Sequence, residues 1–107
     1  MNMELKLLER LIILKVLPHE GSFATLKIVQ KLKLDLALAE DEFKEMEVVE
    51  SEGNITWKIE KDIGKEIPIG EKAMDIIVMS LKKLDRDGEL TLEEMGVYEK
   101  FIQGGTA

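Results

Sequence analysis

The chain has 107 residues, of which 45% are apolar and 35% charged, enough for one domain with a core and a charged surface. Fifteen basic and 22 acidic residues give a formal charge of −7, which argues against nucleic acid as the main partner. With no Cys and a single His, disulfides, thiolate chemistry and multi-histidine metal sites are excluded. We expect one globular domain over residues 1–103 and a disordered tail at residues 104–107.

Three helices are predicted in the first half of the chain. Residues 3–17 show apolar residues at helical spacing, and Pro18 ends the pattern. Ser22 is a suitable N-cap for a second helix that runs to about Leu36. A third, short helix fits residues 38–46, because its acidic first turn suits the helix dipole.

The apolar period changes from helical to alternating after residue 47. Residues 47–59, with a turn at residues 51–54, predict a β-hairpin, and residues 66–69 predict a further extended piece that Pro68 confines to an edge. Helical spacing returns over residues 70–84. A last helix is predicted from Thr91, with Thr91 and Glu94 as its capping box.

The predicted fold is α+β and mainly helical. Its order of three helices and a short β-hairpin wing is that of a winged helix, followed by a C-terminal helical pair. The predicted core is Leu8, Leu11, Ile12, Val29, Leu32, Phe43, Trp57, Ile76, Ile77, Leu81, Tyr98 and Phe101. No stretch reaches the roughly 18 apolar residues of a membrane span, and the N-terminus lacks a signal-peptide pattern. We therefore expect no membrane partner and a cytoplasmic location.

Residues 83–94 resemble a degenerate EF-hand loop. When its glycine is aligned with that of the motif, Asp85 and Asp87 take two ligand positions, Glu89 offers its carbonyl, and Glu94 takes the bidentate position. The first ligand position, however, holds a lysine. An ordinary turn between two helices explains the same residues, so the loop is only a weak candidate and we assign no metal or cofactor.

No residue pattern of an enzyme is found. His19 follows a proline in a predicted loop without a nucleophile motif beside it, and the glycines do not form a phosphate-binding loop. We therefore predict no catalytic residues and no enzymatic activity.

The most charge-biased segment is residues 40–52, with seven acidic residues and one basic. It leads into the hairpin that bears Trp57, and complementary charge combined with an aromatic residue is typical of interaction surfaces. The predicted contact surface for a protein partner, which would be basic, is Asp41, Glu42, Glu45, Glu47 and Trp57. Glu42 and Glu45 are expected to be exposed. The alternative is a solvated face that keeps the domain in solution.

A winged-helix-like DNA-binding regulator is the second functional interpretation. In that fold the third helix would enter the major groove, but here it carries four carboxylates that phosphates would repel. Lys27, Lys31 and Lys33 on the second helix are the residues that favour this alternative.

The chain contains the segments LPHEGSFATLKIV (residues 17–29), IGEKAMDIIV (69–78), LKKLD (81–85) and YEKF (98–101), together with Trp57. In these segments it resembles a group of small uncharacterised proteins encoded in tailed-phage and prophage genomes, and the likeness runs from about residue 11 to 102. The resemblance implies a phage setting in the host cytoplasm and assigns no particular activity to the chain. The leading functional prediction is a protein-interaction module that acts as adaptor, inhibitor or assembly factor.

Overall fold

The computed structural model describes residues 2–103. The predicted tail at residues 104–107 lies outside this range. In chain order the elements are β1 (Asn2–Leu5), α1 (Leu7–Val16), α2 (Phe23–Leu36), α3 (Glu40–Glu45), β2 (Val49–Ser51), β3 (Asn54–Thr56), a 3-10 turn (Ile59–Lys61), β4 (Lys65–Pro68), α4 (Glu71–Arg86), α5 (Leu92–Tyr98) and a π-helical turn (Glu99–Gln103). The predicted mainly helical α+β class is confirmed, with three helices, a hairpin and a helical pair in the expected order.

Residues 2–5 form a strand, and the prediction of a helix from residue 3 is wrong there. β1 pairs antiparallel with β4, with Met3 opposite Ile67 and Leu5 opposite Lys65. Leu5 and Ile67 are both buried, and α1 begins only at Leu7, whose N–H donates to the Asp62 carboxylate at 2.9 Å. The predicted extended piece near residue 67 therefore pairs with the N-terminal strand and not with the β2–β3 hairpin.

The core surrounds α1, which packs against α2, α4 and α5. Six predicted core residues are buried, namely Ile12, Val29, Leu32, Ile77, Leu81 and Phe101. Five others are partly buried, namely Leu11, Phe43, Trp57, Ile76 and Tyr98. Leu8, by contrast, is 42% exposed. It lies two helical turns before the exposed Lys15, and therefore on the same outer face of α1.

The helix boundaries follow from local chemistry. The Ser22 hydroxyl accepts the Thr25 N–H at 3.1 Å and caps α2 as predicted. Gly88, at φ +70°, lies just beyond the end of α4, a backbone conformation that L side chains rarely adopt. Within the described residues, no helix has the length and apolar character needed to cross a membrane.

Candidate interaction surfaces

Glu42 belongs to the predicted acidic surface, but its carboxylate is hydrogen-bonded to a buried side chain. The Arg10 side chain is 1% exposed, and its guanidinium donates to the two Glu42 oxygens at 2.8 and 3.4 Å. One of these oxygens also accepts the Ala39 N–H, and Lys65 lies 3.5 Å from it. The expectation that Glu42 is exposed is therefore wrong, because its carboxylate joins α3 to α1.

Burial and ion pairing act in opposite directions on Glu42. Burial raises the pKa of its carboxyl, but the Ala39 N–H, the Arg10 guanidinium and then Lys65 together hold that pKa below its ordinary value. The ionised form is thus stabilised by the fold. Its charge is already matched and adds little to an attraction for a partner.

Glu47 is exposed but also has cationic neighbours. Its carboxylate lies 2.8 Å from the Lys61 ammonium and 3.3 Å from that of Lys58. Hydrogen bonds from these two lysines lower the pKa of Glu47. Its contribution to the negative potential of this surface is therefore reduced.

The remaining members of the predicted surface differ in accessibility. Asp41 and Glu45 are exposed, whereas Trp57 is partly buried. The indole Nε1 of Trp57 is buried without a hydrogen-bond partner among residues 2–103, so its N–H is not presented to solvent. The exposed carboxylates of α3 and of the hairpin tip form what we call the acidic end: Glu40, Asp41, Glu45, Glu50 and Glu52.

The EF-hand-like loop does not gather its carboxylates around a common point. Glu94 is 2% exposed, and its oxygens accept the Thr91 N–H at 3.0 Å and face the Lys15 ammonium at 3.0 Å. Asp85 accepts the Tyr98 hydroxyl at 3.2 Å, while Asp87 and Glu89 are exposed. In the described part of the chain no three acidic or histidine side chains are placed to hold a metal ion. The loop serves as an interhelical turn, with Glu94 closing the predicted capping box.

An exposed apolar face on α2 is a feature that the sequence analysis missed. Phe23 and Leu34 are 74% and 75% exposed, and Leu26 is 37% exposed. At 3.6 residues per turn Phe23 and Leu34 lie opposite Leu32, which α2 buries in the core, and Leu26 lies at the edge of the same outer face. These three residues are here named the α2 stripe. The sequence contains a signal for them, since they are apolar residues of α2 beyond the set that forms its buried face, Val29, Leu32 and Leu36.

A groove lies beside the α2 stripe, between α2 and the start of α4. Its volume is about 720 Å³, within the range of ligand pockets, roughly 300–1,000 Å³. Buried apolar residues form the floor, namely Leu32, Ile69 and Ala73, and exposed lysines form the rim, namely Lys27, Lys31 and Lys72. We call this feature the α2–α4 groove. By helical spacing, Lys27 and Lys31 lie on α2 between the stripe and the floor of the groove.

The chain matches no protein-family model, and neither a curated protein nor a solved structure is significantly similar to it.

Proposed function

We propose that this chain is a protein–protein interaction module, an adaptor, inhibitor or assembly factor without catalytic activity, which works in the host cytoplasm if it is phage-encoded. The observation that carries the proposal is the α2 stripe. Phe23 and Leu34 leave about three quarters of their surface in water, although α2 completes its share of the core with the opposite face. Large apolar side chains that are exposed along one face of a helix are typical of surfaces that a partner covers.

Burial of the α2 stripe would supply binding energy of a useful size. Each large apolar side chain contributes about 1.5–3 kcal/mol when it moves fully out of water. An exposed aromatic residue such as Phe23 is also the type enriched at the centre of interfaces. The stripe needs no rearrangement of the fold to become accessible.

A non-catalytic role agrees with the state of the buried charged groups. Within residues 2–103 these are Arg10 and Glu94. Each is held in an internal ion pair, with Glu42 and Lys15 respectively. A structural role accounts for both residues.

The proposal is tested by capture of partners from cells that carry the gene. Three baits are compared: the wild type, the stripe variant Phe23→Ser/Leu34→Ser, and the control Met79→Ser/Leu92→Ser, which removes side chains that are 71% and 87% exposed on α4 and α5. We expect the wild type and the control to capture the same proteins and the stripe variant to lose them at least tenfold. Equal capture by all three baits would contradict the proposal.

The DNA-binding alternative is supported by the exposed positions of Lys27, Lys31 and Lys33 on α2. The acidic end opposes it, because α3 and the hairpin tip would both approach phosphates with carboxylates. Titration of a labelled duplex at rising salt tests it. We expect no micromolar binding at about 150 mM salt, a concentration at which the Debye length is about 8 Å. Salt-sensitive binding that the three lysines control would favour the regulator.

A further inference from the structure

We infer that the α2 stripe docks an acidic amphipathic helix, whose edge lies over the lysine rim of the α2–α4 groove. The inference rests on the proposed interaction function and names the chemistry of the partner. It is carried by two features of one surface: the sign of the charge around it and the length of its apolar part.

The charge around this surface is opposite to that of the whole chain. Lys27, Lys33 and Lys72 are exposed and lie beyond 4 Å of any carboxylate in the part of the chain that the structure describes, whereas the chain carries −7. The Lys31 ammonium lies 2.9 Å from the Asp35 carboxylate, so the negative charge of this acid on α2 is already compensated. Glu71 is the other acidic lining residue, so three lysines and two acids line the groove, and Lys33 adds a further positive charge beside the stripe.

The placement of the lysines suits a helix with acidic edges. By helical spacing, Lys27 flanks the α2 stripe on the side of the groove and Lys33 flanks it on the other side. A partner helix whose apolar face covers the stripe would bring its polar edges over these two ammonium groups. Carboxylates at those edges would pair with them, and lysines there would be repelled.

The length of the surface favours a helix over a small molecule. The distance from Phe23 to Leu34 along α2 is roughly 16 Å at 1.5 Å per residue. A small amphiphilic anion could occupy the groove but would leave Phe23 and Leu34 in water. An amphipathic helix of three or four turns covers the stripe along its whole length, and its edge over Lys27 faces the groove.

Two other occupants are opposed by features of the chain. An anionic membrane would attract the lysines, but the net charge and the exposed acidic end oppose approach to negative lipids. A second copy of the chain would offer α3 as its acidic helix. The apolar side of α3, however, is already used, since Phe43 is partly buried and Met46 is 5% exposed.

The test uses a display library of peptides of about 18 residues, roughly five helical turns. Apolar residues are fixed at positions i, i+3, i+4 and i+7, and the other positions vary among Glu, Gln and Lys. We expect selection on the wild-type chain to enrich Glu. A selected peptide should lose about five- to tenfold in affinity on Lys27→Gln/Lys33→Gln, the effect of two exposed ion pairs, and nothing on the control Lys82→Gln/Lys83→Gln.

Several outcomes would overturn the inference. They are enrichment of Lys or Gln, no enrichment at all, or an affinity that is equal in the two lysine variants. Binding of the wild type to vesicles with phosphatidylserine, or dimerisation that Lys27→Gln/Lys33→Gln abolishes, would assign the surface to a membrane or to a second copy. If the capture of cellular partners depends on the stripe but acidic peptides are not selected, the proposed interaction function is retained and the inference of an acidic helix is rejected. If acidic peptides are not selected and capture does not depend on the stripe, both proposals are rejected.

Discussion

At the scale of single residues, Arg10 places a full charge in the interior, and Glu42, 32 positions later, neutralises it. Such a pair is strongly destabilised when one partner is removed, because the other charge is then left without compensation. The sequence does not reveal this ion pair. Its pattern places Arg10 on a polar helix face, and Glu42 is one of seven acidic residues in the segment 40–52. Local devices such as the Ser22 cap were predictable, because both groups of the hydrogen bond lie within three residues.

We predict that Glu42→Ala lowers the free energy of unfolding by about 3 kcal/mol, the lower end for a broken buried pair because Glu42 retains some exposure. Glu45→Ala, an exposed acid on the same helix, should change it by less than about 0.5 kcal/mol. Urea denaturation measures both. The double variant Arg10→Leu/Glu42→Leu should recover most of the loss, because no buried charge remains. Equal losses in Glu42→Ala and Glu45→Ala would show that the pair contributes nothing.

At the scale of elements, the start of α5 couples stability to pH through Glu94. The Thr91 N–H lowers the pKa of Glu94, and the Lys15 ammonium adds to this, while burial opposes them. Because the folded-state pKa lies below the ordinary 4.5, the contribution is fully present above that pH and is lost as the pH falls through the lower folded-state value. Glu42 acts with the same sign.

We therefore expect the urea midpoint of the wild type to fall as the pH decreases from about 5 to about 3. Glu94→Gln keeps an acceptor for the Thr91 N–H but removes the charge facing Lys15. It should cost about 1 kcal/mol at neutral pH and show a shallower pH dependence. The control is Glu93→Gln, exposed in the same turn of α5, which should keep the wild-type slope. A Glu94→Gln slope as steep as that of the wild type would place the pH dependence in other carboxyls.

The N-terminal segment shows what the sequence could not supply at this scale. Residues 3–17 have helical spacing throughout, and the competing structure is a pairing with β4, whose residues lie 60 to 66 positions further along the chain. Long-range pairing overrides local propensity where it buries residues such as Leu5 and Ile67. The helices α2 and α4 were predictable because their apolar rows and caps are local.

The strand assignment has a direct mutational test. Leu5→Ala should lower the free energy of unfolding by about 2–5 kcal/mol, because the side chain is completely buried. Leu8→Ala removes a side chain that is 42% exposed and should cost less than about 1 kcal/mol. Guanidinium denaturation of the two variants gives the comparison. A larger loss of stability in Leu8→Ala than in Leu5→Ala would contradict the strand and favour the helix predicted from the sequence for residues 3–5.

At the scale of the whole molecule, burial is concentrated around α1, and the β2–β3 hairpin lies outside it. Residues from α1, α2, α4 and α5 form one cluster with Leu5, Ile67 and Ile69. β2 is exposed along its whole length, and in β3 only Ile55 is partly buried. Elements with few buried contacts open without global unfolding. The hairpin should therefore be the least protected regular element beside a cooperative helical core.

Hydrogen exchange and a pair of glycine variants test this division. Amides of Ile13 and Ile77, which are fully buried, should exchange near the global free energy of unfolding, and those of β2 and β3 far below it. Gly53 has φ +80°, so Gly53→Ala should cost about 1 kcal/mol within the hairpin and leave the urea midpoint unchanged. The same substitution at Gly96, inside α5 with open space around it, should stabilise the whole domain by up to about 1 kcal/mol. A lower midpoint for Gly53→Ala would make the hairpin part of the cooperative core.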